Sequence, residues 1–322
     1  MMHVNRWIYN AVKYNVQEIT MVIEQLQNSA YEIPQRLLNC KSLKKLVIRM
    51  FDAARYVDII LPRSMYLPRL KVLLLDGLSF SNLELAKKLL SSCPVLKDLE
   101  IINCDIQSDN QKILIVDSVS VKKFTYTCWL NYTMPSVIKL CAPNLEEFNC
   151  RSFFTQDYSL ENCSPLSVVD LCMILEEHEE DENAETYSNL PSEEKEVYAI
   201  RMMKSLGAVY MVKRLRLSPG FLEVLSRAPD LLDYQPPRLC NLKCLTLVMW
   251  STRGCLRAIV YLLSISPNID TIYLELEKVT FNQALRSINW SATATFKFVQ
   301  QFWNIRGFLI SVVLIVLIFD IF

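Results

Sequence analysis

The strongest constraint in this chain is a short phrase, apolar-x-x-apolar-x-apolar, that returns at a nearly fixed step. Ten copies begin at Val16, Leu43, Leu70, Leu96, Val121, Leu145, Leu166, Val212, Leu242 and Ile269. Successive starts lie 27, 27, 26, 25, 24, 21, 46, 30 and 27 residues apart. One match means little in a sequence that is 52% hydrophobic, but ten at this spacing do not arise by accident. The stretch Leu67 to Asp105 shows a whole unit. Leu70-x-x-Leu73-x-Leu75 opens it, and Leu96-x-x-Leu99-x-Ile101-x-x-Cys104 closes it. Between them Leu83, Leu85, Ala86, Leu89 and Leu90 fall at helical spacing, which predicts a helix between Asn82 and Ser91.

A strand, a turn, a helix and another strand in about 26 residues is one leucine-rich repeat. Side chains alternate along a strand, so Leu46 and Ile48 are expected to point inward while Lys45, Val47 and Arg49 point out. A single unit cannot bury its apolar side, whereas stacked units share one core. The predicted fold is therefore α/β, a leucine-rich-repeat solenoid of about ten irregular repeats spanning residues 1–278. A curved parallel β-sheet is expected on its concave side, with helices and loops on the convex side and an uneven curve. Leu73, Leu99, Phe148, Leu215 and Leu245 are the predicted interior row.

The departures from the repeat mark the rest of the organisation. Trp7, Ile8, Ala11 and Val12 suit a helix face ahead of the first strand, with no secretory signal pattern. The step of 46 holds the acidic run Glu176 to Glu182, so residues 176–192 read as a solvated insertion rather than a docking tail or a metal site around His178. Ser192 then reads as the N-cap of a helix over Glu193 to Val209. Pro229, Pro236 and Pro237 mark a loop. Residues 279–306 read as a divergent connector, and 307–322 as a hydrophobic tail. That tail is 16 residues long, short of the roughly 20 a bilayer core requires, and is a candidate membrane anchor only as a minority alternative.

Enzyme chemistry finds little support. There are two histidines, His3 in the first residues and His178 in the acidic run, and no nucleophile–histidine–acid arrangement can be drawn through either. No H-E-x-x-H, no C-x-x-C and no glycine-rich phosphate loop occurs, and glycine numbers only 5. No catalytic residue, metal ligand or cofactor is expected. Thirty-four basic and 34 acidic residues leave a formal charge of zero, which argues against nucleic acid as a partner. Eleven cysteines, with Cys40, Cys93 and Cys163 each three residues before a strand phrase, read as small apolar fillers in a reducing compartment, cytoplasmic or nuclear. The sequons at Asn131, Asn162 and Asn289 read as chance matches.

A solenoid offers a long surface instead, made of the outward strand positions. These are Lys45, Val47 and Arg49; Val72, Leu74 and Asp76; Asp98, Glu100 and Ile102; Lys123, Thr125 and Thr127; Glu147, Asn149 and Arg151; Arg214 and Arg216; Thr246 and Val248; and Thr271 and Tyr273. Of these, Lys45, Arg49, Asp76, Asp98, Glu100, Lys123, Thr125, Glu147, Asn149, Arg151, Arg214, Arg216 and Tyr273 form the expected partner-binding surface. Mixed charge with apolar spots suits a protein partner better than a phosphate backbone.

The phrases CKSLKKLVI (Cys40–Ile48), LPRLKVLLLDGLSF (Leu67–Phe80), LLSSCPVLKDLEIINCDI (Leu89–Ile106), CAPNLEEFNC (Cys141–Cys150) and SPNIDTIYLELEK (Ser266–Lys278) resemble the plant F-box/leucine-rich-repeat proteins, especially the branch that ends in an FBD region. The resemblance runs from about Trp7 to Lys278. It implies a non-catalytic, substrate-recruiting subunit of a Skp1–cullin–F-box ubiquitin ligase, with the target protein held on the repeats. The ends depart from that pattern. No F-box of about forty residues precedes Trp7, Pro34-x-x-Leu37-Leu38 matches one only superficially, and the tail stands where the FBD region is expected. A Skp1-type adaptor is therefore expected as a partner only if an F-box lies upstream or is cryptic. The alternative is a repeat-based interaction protein tethered to a membrane by 307–322 and uncoupled from ubiquitination.

Overall fold

A computed structural model describes residues 2–24, 30–50, 56–80, 82–105, 113–128, 137–153, 157–161, 163, 166–174, 191–227, 238–249, 252–276 and 294–299. The chain falls into two compact units, Met1–Asn149 with Gln156–Ser164, and Cys150–Thr155 with Pro165–Phe322. Unit one runs α1 (Met2–Lys13), β1 (Glu18–Ile23), β2 (Tyr31–Glu32), a 3-10 turn (Leu37–Asn39), β3 (Lys45–Met50), β4 (Val57–Ile60), β5 (Val72–Asp76), β6 (Leu78–Phe80), α2 (Leu83–Ser91), β7 (Asp98–Ile102), β8 (Ile113–Asp117), β9 (Lys123–Thr127), β10 (Val137–Cys141), the start of β11 (Glu147–Phe153), and β12 (Asp157–Glu161). Unit two runs from the rest of β11 through β13 (Val168–Ile174), α3 (Ser192–Ala208), β14 (Arg214–Leu217), α4 (Pro219–Arg227), β15 (Cys244–Met249), α5 (Thr252–Ser264), β16 (Thr271–Leu276) and β17 (Ala294–Val299).

All ten expected strands form, each starting two residues after its first apolar position. That first residue is a plug in the turn rather than a strand residue: Leu43, Leu70, Leu96, Val121 and Leu242 are each fully buried there. In unit one the hydrogen-bonded order is β1-β3-β5-β7-β9-β11. The pairings from β1 to β9 are parallel, and they place Leu46, Leu73, Leu99 and Phe124 in one row. All four side chains have no solvent exposure, and Phe148 stacks on Phe124 with ring centroids 6.2 Å apart. Unit two has the order β13-β14-β15-β16-β17, with Val169, Leu215, Leu245 and Ile272 in one buried row. The expected interior residues thus sit in interior rows of their own units. This is the leucine-rich-repeat solenoid fold.

The other side of the repeats departs from expectation. The helix between Asn82 and Ser91 is present as α2, with Asn82 Oδ1 accepting the Leu85 N–H at 3.1 Å. Elsewhere unit one carries two further parallel sheets, β2-β4-β6 and β8-β10-β12, where helices and loops were expected. The reason is pattern rather than length, since the step of 26 residues from Leu70 still holds α2 and the step of 27 from Leu242 holds α5. Segments such as Val57–Ile60 alternate buried and exposed residues as strands do. The longer steps of 46 and 30 residues are where unit two gains α3 and α4, and α4 is buried over eight of its nine residues, Pro219–Ser226.

Pro191, not Ser192, occupies the capping position of α3, and no side chain caps that end. The Ser218 hydroxyl is an unforeseen anchor: it donates to the Met173 carbonyl at 2.9 Å and accepts from the N–H groups of Met173 and Phe221. Trp7 is 68% exposed on α1 while its neighbour Ile8 is buried. Within the supposed connector, β17 pairs antiparallel with β16. Leu37 and Leu38, from the segment that superficially matched an F-box, are fully buried in unit one. After β5 and β7 the chain turns through left-handed Gly77 (φ 68°) and Asn103 (φ 44°), residue types that tolerate this conformation. The acidic run, the proline-marked loop, the three sequons and the hydrophobic tail lie outside the described residues. Among the described residues no helix is long and apolar enough to cross a membrane.

The cysteines are free thiols, and Cys40 and Cys93 are buried as expected of fillers, while Cys163 is only half-buried. Burial pushes the thiols of Cys93, Cys104 and Cys255 up to about 12. Cys240 is exposed. A disulfide-exchange reagent at neutral pH is therefore expected to label Cys240 in the native protein and to reach those three only in denaturant. Mass mapping of the labelled sites checks this, and native labelling of Cys104 would contradict the packing described.

Candidate functional site

The outward strand positions form a registered grid in each unit. In unit one the parallel pairing aligns Lys45, Val72, Asp98 and Lys123 in one row. Val47, Leu74, Glu100 and Thr125 form the next, and Arg49, Asp76, Ile102 and Thr127 the third. On β11, Glu147 reaches Lys123 (3.8 Å), and the Asn149 amide donates to the Thr125 hydroxyl at 3.3 Å. The structure thus brings Lys45, Arg49, Asp76, Asp98, Glu100, Lys123, Thr125, Glu147 and Asn149 onto the outward positions of one sheet. Not every outward position is accessible: Val47 keeps 5% exposure and Thr127 9%.

Carboxylates dominate the middle of this face. Burial raises the pKa of Asp76, an effect that the nearby Arg49 opposes. Burial also raises Asp98, with Lys123 opposing and Glu147 adding to the shift. Glu100 is raised by burial first and by Asp98 second. All three are acids whose folded-state pKa lies above the ordinary value, 3.8 for aspartate and 4.5 for glutamate. Between the ordinary and the raised values the folded state binds more protons than the unfolded chain, so stability falls as pH rises through that window. The urea midpoint is expected to be higher near about pH 5 than near pH 7, and Asp98→Asn with Glu100→Gln should shrink the difference. An unchanged pH dependence in that double variant would assign the effect elsewhere.

Unit two organises its face differently. Asp170 and Arg216 are register partners on β13 and β14. Asp170 lies 3.7 Å from Arg151 and 4.0 Å from Arg216. Arg216 then makes a two-pronged contact with Glu275, at 2.7 and 3.0 Å. Strand β15 lies between β14 and β16, so the arginine must cross it, and the outward Val248 of β15 is 2% exposed. Burial raises the Asp170 pKa, and the two arginines oppose that rise. The ladder Arg151–Asp170–Arg216–Glu275 therefore satisfies its charges internally. Arg214 is exposed, and Tyr273 is half-buried in the row of Arg216 and Thr246. Sequence reasoning missed Asp170 and Glu275. Both were findable as outward residues, since Asp170 occupies the same repeat position as Arg216 and Glu275 that of Arg49, Asp76 and Arg151; the pairing of Glu275 with Arg216, two strands away, was not.

Among the described residues no group of three or more histidine, cysteine, aspartate or glutamate side chains is placed to hold a metal ion. The arrangement is a surface for contact: registered rows of charges and aliphatic side chains on a rigid hydrogen-bonded frame.

Comparison with known proteins points the same way. Residues 4–170, just over half of the chain, match the family described as FBD-associated F-box protein At5g56370, LRR repeats. The chain is similar to the F-box/LRR-repeat protein At3g58930 of Arabidopsis thaliana, 27% identical over 286 residues that cover 85% of this chain and 56% of that protein. It is also similar to the F-box/LRR-repeat protein At3g59200 of the same plant, 26% identical over 297 residues, 88% of this chain and 53% of that one. The chain spans between half and two thirds of the length of these relatives and about a third of others.

Proposed function

Because the chain belongs to the FBD-associated F-box, leucine-rich-repeat family, we propose that it is a non-catalytic recognition scaffold that holds a target protein on the outward faces of its parallel sheets. The target would be held for a ubiquitin ligase of the Skp1–cullin–F-box type. The observation that carries this reading is the registered face of unit one, where Arg49, Asp76, Asp98, Glu100 and Lys123 stand among Val72, Leu74 and Ile102. Charges of both signs around aliphatic contacts give a protein partner specificity through complementarity rather than through net charge. Adaptor binding is a separate part of the proposal, which holds only where an F-box lies upstream or is cryptic.

The test compares affinity captures from plant extract with three versions of the full chain: unchanged, Asp98→Lys/Glu100→Lys on the face, and Lys87→Glu on the reverse side. A target held on the face is expected to be retained by the first and third versions and lost by the second. A Skp1-type adaptor should be captured equally by all three. Identical captures from all versions would reject the face as the binding surface, and absence of the adaptor from all of them would uncouple the protein from ubiquitination.

A further inference from the structure

The turn that leads into each strand carries one residue directly after its buried plug, and in unit one these residues are Lys44, Lys71, Lys97 and Lys122, followed by Glu146. The backbone stacks them directly. The Lys71 N–H donates to the Lys44 carbonyl at 2.8 Å, Lys97 to Lys71 at 2.9 Å, Lys122 to Lys97 at 2.8 Å and Glu146 to Lys122 at 2.7 Å. Neighbouring strands are about 4.7–4.9 Å apart, so four ammonium-bearing side chains leave the frame at that interval. All four are exposed. Glu146 neutralises Lys122, whereas among the described residues no ion pair engages Lys44, Lys71 or Lys97.

Like charges in register on adjacent strands repel, and the row one residue further on avoids this by mixing Lys45, Val72, Asp98 and Lys123. Unit two avoids it as well. Its equivalent column runs Ser167, Lys213, Lys243 and Asp270, and Asp270 pairs with Lys243 at 3.4 Å. The uncompensated run in unit one is therefore particular to three repeats. It is not a by-product of a basic protein, since the chain has no formal net charge.

We infer that the ridge Lys44–Lys71–Lys97 is a docking edge for an acidic, extended peptide segment of a partner protein, separate from the sheet face. An extended peptide places same-side carboxylates about 6.6–6.8 Å apart, a spacing that long, flexible lysines can meet across neighbouring strands. A duplex nucleic acid fits less well. The ridge is one lysine wide, and the adjoining face carries Asp76, Asp98 and Glu100, which repel a phosphate backbone.

The probe is a fluorescein-labelled peptide of alternating glutamate and glycine, titrated with the full chain by fluorescence anisotropy. Binding is expected at low salt and should weaken steeply as salt is raised. The triple change Lys44→Glu/Lys71→Glu/Lys97→Glu should reduce affinity at least about tenfold. The corresponding arginine triple should retain binding, and Lys213→Glu/Lys243→Glu should leave it unchanged. Circular dichroism checks that the triple variant is folded, and Lys71→Gln alone, with an expected loss of about twofold to threefold, serves if it is not. Equal binding by the charge-reversed ridge would overturn the inference. So would peptide binding no tighter than that of an uncharged peptide, or tighter binding of duplex DNA that the same triple abolishes.

Discussion

Phe148→Ala is expected to lower the unfolding free energy by about 3–5 kcal/mol. The ring is 1% exposed, lies nearly parallel to Phe124 at 6.2 Å, and meets Tyr158 edge-on at 5.8 Å. Truncation removes the transfer term of a whole phenyl ring and both aromatic contacts, and leaves a cavity bordered by Phe124, which is itself fully buried. In a repeat array the loss also weakens the interface through which one repeat stabilises the next. Urea unfolding monitored by circular dichroism measures the change. A loss below about 1 kcal/mol would show that the row collapses around the gap, contrary to the close packing described. Phe148→Leu should recover much of the loss, since it keeps most of the apolar volume.

Arg216→Leu is the second large effect, expected at about 2–3 kcal/mol. This is less than the 3–5 kcal/mol reported for truncating one member of a fully buried pair, because Arg216 keeps 28% side-chain exposure. The loss arises less from a forfeited attraction than from what remains. Glu275 and Asp170, at 15% and 17% side-chain exposure, would be half-buried carboxylates without their shared cation. Glu275→Leu alone leaves Arg216 with only its longer contact to Asp170, at 4.0 Å, and should also destabilise. The double variant is expected to cost clearly less than the two single losses added together, since it removes the charge and its countercharge at once. Strictly additive losses would mean that Arg216 and Glu275 do not interact, and the crossing over β15 would have to be abandoned.

The two predictions concern different kinds of stability with different consequences for recognition. The Phe124–Phe148–Tyr158 cluster sits beneath the strands that present Lys123, Thr125, Glu147 and Asn149, so loosening it degrades the surface from below. The Arg151–Asp170–Arg216–Glu275 ladder lies on the outward face itself. A partner approaching unit two meets charges already committed to one another, and would have to break those contacts to use them. On unit one no ion pair among the described residues engages Asp76, Asp98 or Glu100, so the face there is the better candidate for contact.

How much was legible in advance depended on the range over which each feature is decided. The ten strand phrases were readable because strand alternation and repeat step are properties of the chain within a few residues, and a registered parallel stack is the one arrangement that buries every Leu46, Leu73 and Leu99 at once. The helix α2 was readable for the same reason, with its apolar spacing and the Asn82 cap both local. The reverse side was less so. Whether Val57–Ile60 and Ile113–Asp117 become strands depends on finding parallel neighbours one repeat away, and that partner is not written beside them in the chain.

The sequence by itself determined the repeat, the direction in which each strand side chain points, and the identity of the interior residues, because all three follow from a periodicity of two nested in a step of about 26. Tertiary structure alone decided which outward residues are available. It crowded Val47 and Val248 below the surface and joined Arg216 to Glu275 across an intervening strand. Those outcomes depend on register between strands and on how far a long side chain can reach. Both are distances in space between residues that lie tens of positions apart, so no local pattern records them.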